Sequence, residues 1–244
     1  MLTVRMATPH GYYSHVCGRY FSNADKQKIA ERFQLRDVPE VALAPNYNIA
    51  PTTFKPVVRV GRDSGERELE LMRWGLVPHF AKSLADFKGF STFNARAETL
   101  LTSATWRVPF RRRRCLVPAD GFYEWKALDD SKKPVKEPYA ITLTNGEPMA
   151  FAGLWDAWKE PDGKWLKSFA IVTTEANEIM ATIHTRMPVI LHRRDWVEWL
   201  DRDDSRPAPE HLLRQYESDA MKLDRCSPMV GNVRNNGPEM LNSQ

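Results

Sequence analysis

The sequence predicts an α+β fold in a single domain. Strand-like runs are interleaved irregularly with short helical ones, with no sustained strand–helix–strand alternation. No internal repeat is visible. The only linker-like stretches, "ALDDSKKPVKE" (127–137) and "DRDDSRPAPE" (201–210), read as surface loops inside one domain. A length of 244 residues fits one large domain or two small ones and can bury a sizeable core.

Taken in order, residues 1–15 form a poorly specified tail. In "SNADKQKIAERFQL" (22–35), Ser22 or Asn23 is the N-cap candidate, and Ile29, Ala30 and Phe33 recur at helical spacing, so a short amphipathic helix is expected. "APNYNIAPT" (44–52) reads as a proline-bracketed loop. "KPVVRVG" (55–61) and "ERELELMRW" (66–74) alternate as strands around a turn. "AETLLTSA" (97–104) predicts a short helix. Strands are expected at 115–125, 138–144, 149–155, 168–174 and 187–191, and helices at 174–183, near 194–201 and at 209–217.

Composition narrows the class. Hydrophobic residues make up 42% and charged residues 27%, an ordinary globular balance. No apolar run approaches the roughly eighteen residues of a membrane span. The first sixteen residues, with Arg5 and His10, lack the continuous apolar stretch of a secretory signal, so a cytoplasmic protein is expected. Cys17, Cys115 and Cys226 are odd in number and widely spaced, which argues against a disulfide framework and against a zinc site. The formal net charge of +4 says little about partners. The run "RRRR" (111–114) is denser, and reads either as a basic patch or as a solvated turn.

Aromatic residues lie beside arginine and glycine in "MRWGLVPHF" (72–80) and "DGFYEW" (120–125). Rings that stack bases and guanidinium groups that track phosphates are what single-stranded nucleic acid needs, while core packing explains the same rings. Glu124, between Tyr123 and Trp125, is either exposed on a strand's far face or held in an apolar pocket, where its pKa rises and it can act as an acid or base. His184 sits at a helix–strand junction, where functional and structural histidines both occur. Asn94 either caps a helix at 97 or lines a site.

Seven blocks in order give these residues a common setting: "CGRY" (17–20), "YNIAPT" (47–52), "RWGLVP" (73–78), "FNARAET" (93–99), "CLVPADGFYEWK" (115–126), "IHTRMPVIL" (183–191) and "VGNVRNNGPE" (230–239). From about residue 17 to 238 the chain resembles the SRAP (SOS-response-associated peptidase) family. The resemblance implies an SRAP domain over 17–240, with a bifurcated, barrel-like, mostly antiparallel sheet surrounded by helices. It implies recognition of abasic sites in single-stranded DNA, and a covalent link through an N-terminal cysteine, which by position is Cys17. Asn94, Glu124 and His184 match the family's catalytic positions. Arg19, Arg96 and Arg186 match positions that contact the DNA backbone. Asn48, Trp74 and Phe80, in or beside the same blocks, are carried over as further DNA contacts. No metal or cofactor is implied. A monomer is expected, associated with the nucleoid when bound to DNA.

The chain departs from the family pattern twice. Phe80 stands where a tryptophan is usual, a smaller ring that still stacks. Val16 stands where the initiator methionine is usual. Only an N-terminal cysteine carries a free amine and a thiol on adjacent carbons, as closing a thiazolidine ring on an aldehyde requires. Residues 1–16 are therefore expected to be absent from the mature protein, through a start at a GUG codon for Val16 or through self-cleavage. Two other readings stay open: a cysteine hydrolase built on Cys17 and His184, with Asn94 or Glu124 orienting, and a binder of single-stranded or modified DNA without catalysis.

Overall fold

The computed structural model describes residues 17–38, 40–87, 92–131, 134–203 and 205–243. The expectation for residues 1–16 lies outside the described residues. The elements run β1 (Tyr20–Ser22), α1 (Lys26–Phe33), β2 (Asn46–Ile49), β3 (Phe54–Val60), β4 (Arg67–Trp74), β5 (Asn94–Arg96), α2 (Arg107–Arg112), β6 (Arg114–Ala119), β7 (Gly121–Ala127), β8 (Lys136–Leu143), β9 (Met149–Lys159), β10 (Trp165–Glu175), α3 (Glu178–Ala181), β11 (Arg186–Pro188), α4 (Trp196–Leu200) and β12 (Met221–Arg225).

Two sheets form. One is antiparallel, in the order β12-β8-β7-β1-β2. The other closes into a five-stranded mixed barrel, because β9 pairs both β6 and β10 along the order β10-β4-β3-β6-β9. The long strand β10 is the fork. Its first half pairs β9 antiparallel and β4 parallel, and its last residues pair β5 parallel and β11 antiparallel. The bifurcated, barrel-like α+β domain implied by the resemblance is what the chain forms. The helices around it are few and short among the described residues, the longest being the eight residues of α1.

Alternation along the strands sorts the core. Val57, Met72, Trp74, Cys115, Val117, Phe151 and Phe169 share one buried cluster with Tyr20, Phe122 and Ile141 of the antiparallel sheet. Their neighbours Val58, Leu116, Ala150, Ala152 and Ala170 are buried with Ile29 and Phe33 of α1 and Trp196 and Trp199 of α4. No helix among the described residues is long and apolar enough to cross a membrane.

The expected strand at 115–125 is two strands, one in each sheet, and Asp120 is the crossing point. Its carboxylate accepts the N–H groups of Asn23 (2.6 Å) and Ala24 (3.2 Å), which fixes the end of β1. A Cβ on Gly121 would stand 2.5 Å from both the Ile141 carbonyl oxygen and the Phe21 ring, so only glycine fits between the paired strands.

Other expectations shift for local reasons. Ser22 ends β1, and the N-cap of α1 is Asp25, which accepts the N–H of Lys28 at 2.9 Å. The loop at 44–52 contains β2, and β12 was not foreseen. Helices expected at 97–104 and 209–217 are single 3-10 turns, Ala97–Thr99 and Glu210–Leu212. The helix at 174–183 contracts to α3 because Thr174 and Glu175 pair with β11. The loop at 127–137 is shorter than expected, since β7 and β8 pair as far as Ala127 and Lys136. The arginine run ends α2 and enters β6, with Arg111 and Arg112 exposed. Arg114 is buried, donates to the carbonyls of Phe110, Arg111, Trp199 and Asp201, and so ties α2 to the end of α4.

Candidate active site

Cys17 enters β1 from a left-handed backbone conformation, with φ 48°. Glu124 lies at the centre of β7, and the carbonyl of Arg19 accepts the N–H of Tyr123 at 3.0 Å, which aligns the start of β1 with β7. This alignment brings the backbone N–H of Cys17 onto Oε1 of Glu124 in a short hydrogen bond. Both residues are buried. Burial lifts the Glu124 carboxyl to about 8, against the hydrogen bonds from Cys17 and Trp125 N–H groups and the charge of Lys136, which pull it down. The apolar-pocket reading of Glu124 is therefore the right one. Burial, and then the Glu124 charge, push the Cys17 thiol well above its ordinary range. All three cysteines are buried free thiols.

His184 follows α3, its N–H bonded to the Met180 carbonyl at 2.8 Å. Its Nδ1 accepts the backbone N–H of Arg186 at 3.0 Å, which leaves the ring proton on Nε2. Burial lowers its pKa, and the charges of Lys136 and Arg186 add to that effect, so the imidazole is neutral near pH 7. Lys136, at the start of β8, thus acts on Glu124 and His184 alike. Sequence reasoning missed it, because a lysine in a charged loop carries no local signal. Asn94 starts β5 and pairs with Ile171 of β10. Phe93 before it packs against the cluster that holds Cys17, and its carbonyl accepts the Trp74 indole N–H at 2.9 Å.

The expected DNA contacts divide. Arg96 is exposed beside Arg186, and both charges act on Glu98. Arg186 is held by a bidentate pair to Glu98 (2.8 and 3.0 Å) and by the Thr173 carbonyl (2.7 Å). Arg19 donates to Asn48 Oδ1 (2.9 Å) and to the Val230 carbonyl (2.8 Å). Asn48 is itself buried and donates to the carbonyls of Asn232 and Asn235. It holds Arg19 and the 230–235 loop. The Trp74 ring is fully buried against Tyr20 and Phe169. Phe80 is 50% exposed, its ring edge-on to His79. His79 in turn is fixed through N–H and Nδ1 by the buried Asp156.

A family model described as SOS response associated peptidase (SRAP) matches residues 16–233. Abasic site processing protein YoqW of Bacillus subtilis (strain 168) is 38% identical over 230 residues, spanning 93% of this chain and 100% of that protein. Abasic site processing protein HMCES of Rattus norvegicus is 32% identical over 250 residues, spanning 89% of this chain and 69% of that protein. A crystallised protein from Bacteroides thetaiotaomicron shares the fold with a TM-score of 0.81 at 24% identity, over 93% of this chain and 100% of its own. A crystallised phage-related protein from Bordetella bronchiseptica superposes with a TM-score of 0.68 at 31% identity, over 86% of this chain and 93% of its own.

Proposed function

Because the chain belongs to the SOS response associated peptidase (SRAP) family, we propose that it processes abasic sites in single-stranded DNA and links to them covalently through Cys17. The observation that carries this reading is the hydrogen bond from the Cys17 nitrogen to a carboxyl group whose pKa is lifted to about 8. The curated relatives named abasic site processing proteins support the substrate class.

The chemistry follows from that pair. An opened abasic sugar presents an aldehyde. The neutral amine of an N-terminal Cys17 adds to it and gives a carbinolamine. Glu124, protonated at neutral pH, donates its proton to the departing hydroxyl, and water leaves an iminium ion and a Glu124 carboxylate. The carboxylate then takes the thiol proton, Sγ bonds to the iminium carbon, and the C=N pair moves to nitrogen. The net change is aldehyde plus aminothiol to thiazolidine plus water, and Glu124 ends as it began. His184, neutral with its proton on Nε2, serves the sugar oxygen. Asn94 holds the ring oxygens, and Arg96 meets the backbone phosphate.

The same pair serves release of residues 1–16. The nitrogen bonded to Glu124 is the leaving nitrogen of the Val16–Cys17 peptide, so Glu124 protonates it as the bond breaks and one water is consumed. Loss of that peptide also frees Cys17 from a left-handed backbone that costs a non-glycine residue about 1 kcal/mol. The hydrolase reading fares worse, because burial, and then the Glu124 charge, raise the thiol pKa where a thiolate nucleophile needs it lowered.

The deciding experiment incubates the protein with an abasic single-stranded oligonucleotide. An adduct that survives denaturing electrophoresis without borohydride, on a chain whose intact mass begins at Cys17, supports the proposal. Binding without an adduct supports the non-catalytic binder, and an adduct on a chain that keeps residues 1–16 rules out the thiazolidine.

A further inference from the structure

The Tyr20 hydroxyl is fully buried and has no hydrogen-bond partner among the described residues. A buried hydroxyl without a partner carries the cost of its lost hydration, and a phenylalanine would fill the same space without that cost. The ring is firmly placed, edge-on to Trp74 (centroids 5.1 Å) and to Phe151 (6.1 Å).

Register shows where this hydroxyl belongs. Tyr20 pairs with Phe122 across β1 and β7, so its side chain lies on the same face of the sheet as Phe122 and, two residues along β7, Glu124. Cys17, bonded to Glu124, is buried in the same cluster as Tyr20 and Phe122. Burial, and then a charge on Cys17, raise the phenol pKa, so the hydroxyl keeps its proton and is a donor at any working pH. One unused donor therefore shares a buried cluster with one thiol that must ionise in a carboxylate-bearing pocket.

We propose that Tyr20 is a further catalytic residue, whose hydroxyl donates a hydrogen bond to Sγ of Cys17 as the thiol gives up its proton and adds to the iminium carbon. Tyr20 keeps its own proton throughout, and Glu124 receives the one that leaves sulfur. The two groups are not hydrogen-bonded while Cys17 carries an upstream peptide and its left-handed backbone. Once that peptide is gone, the backbone constraint goes with it and Sγ can turn to the hydroxyl. The role in ring closure rests on the covalent reading of the site, but the thiol's response to the hydroxyl does not.

The test is therefore read first on the thiol. In processed protein, whose intact mass begins at Cys17, iodoacetamide alkylation of Cys17 at fixed pH, followed by peptide mass, is compared with Tyr20→Phe. A hydrogen bond to a charged group is worth about one to two powers of ten in thiolate population, and the accompanying loss of nucleophilicity reduces the net effect to roughly three- to tenfold. Tyr20→Phe is expected to alkylate at least about threefold more slowly, with Tm at or above that of the wild type. A mere packing defect has the opposite sign, since an opened pocket exposes the thiol and speeds alkylation. Equal or faster alkylation, or a lowered Tm, refutes the role. Ring-fluorinated tyrosine at position 20 keeps the shape and strengthens the donor. It should speed alkylation, and an unchanged rate counts against the role even where Tyr20→Phe fails to fold. The same variants then go to the abasic oligonucleotide. A wild type that alkylates as expected but forms no adduct removes the covalent reading and leaves the Tyr20–Cys17 interaction standing.

Discussion

The backbone N–H of Cys17 and the Oε1 of Glu124 are joined by a short hydrogen bond across 107 residues of sequence. The bond links the residue that leads into β1 to the middle of β7, and both partners are buried. It places an acid on the one nitrogen that both proposed reactions use: as leaving group when the upstream peptide is cut, and as nucleophile when an aldehyde arrives.

Glu124→Gln keeps the shape and the hydrogen bond but has no proton to give. Adduct formation should slow by at least about tenfold, the low end of general acid–base assistance. In the wild type the acid form is lost as pH rises through about 8, so the dehydration step should slow above that pH. The check is a gel time course across pH 6 to 9. A variant as fast as the wild type removes Glu124 from the chemistry.

The same carboxyl predicts a stability effect of definite sign. Its folded pKa is raised from the ordinary value of 4.5 to about 8, so folding favours the protonated form. Its contribution to stability is complete below about 4.5 and is lost as pH climbs toward 8. Glu124→Gln cannot ionise and should show a higher Tm than the wild type at pH 8 to 9, with the gap closing below pH 5. The ceiling is a few kcal/mol, at roughly 1.4 kcal/mol per pH unit. A gap that is flat with pH means the carboxyl is ordinary.

Trp74 and Phe80 separate core from surface within one sequence block. Trp74→Ala removes a fully buried ring and should cost about 3–5 kcal/mol in chemical denaturation. Phe80→Ala removes a half-exposed ring and should leave Tm nearly unchanged while weakening binding to single-stranded DNA by about 1–3 kcal/mol, the worth of one stacked base. Fluorescence anisotropy with an unmodified oligonucleotide gives the second number. Unaltered affinity takes Phe80 out of the interface.

How far the sequence could be read follows from these residues. Glu124 was legible because aromatic neighbours announce an apolar setting. The barrel strands were legible because buried alternation runs through them. What failed was set by distant partners. Nothing local tells that Asp120 passes the chain from one sheet to the other, or that Arg114 caps two helices with its guanidinium. Nor does it tell that Asn48 spends its amide on the 230–235 loop. Tyr20 read as part of a motif, and only its burial without a partner singles out the hydroxyl.

Arginine geometry refines the expected salt dependence. Arg96 is exposed, and Arg19 and Arg186 hold internal partners. Each phosphate contact on a single strand contributes about −0.7 to the slope of log affinity against log salt. Arg96→Ala should reduce the slope by about that amount. Arg186→Ala should also lower Tm, since it abandons Glu98 and the Thr173 carbonyl. Titrations at several salt concentrations decide it, and a slope indifferent to Arg96 means that no phosphate sits there.

Cys17→Ala separates recognition from chemistry. It keeps the α-amine of a processed chain, the Glu124 partner and every arginine, and removes only the thiol. Binding to an abasic oligonucleotide should persist, because nothing that meets phosphate or base is touched. The amine can still condense with the aldehyde, so an iminium ion should form and be trapped by borohydride. It cannot be captured as a ring, and without trapping the adduct should not survive denaturation. An unquenched iminium also acidifies the adjacent sugar hydrogen, with Glu124 near as a base, so strand cleavage by β-elimination should appear where the wild type protects. The readout is a time course with and without borohydride, scoring adduct and cleaved strand on one gel. Stable adducts from Cys17→Ala at the wild-type rate without borohydride mean that sulfur is not in the linkage.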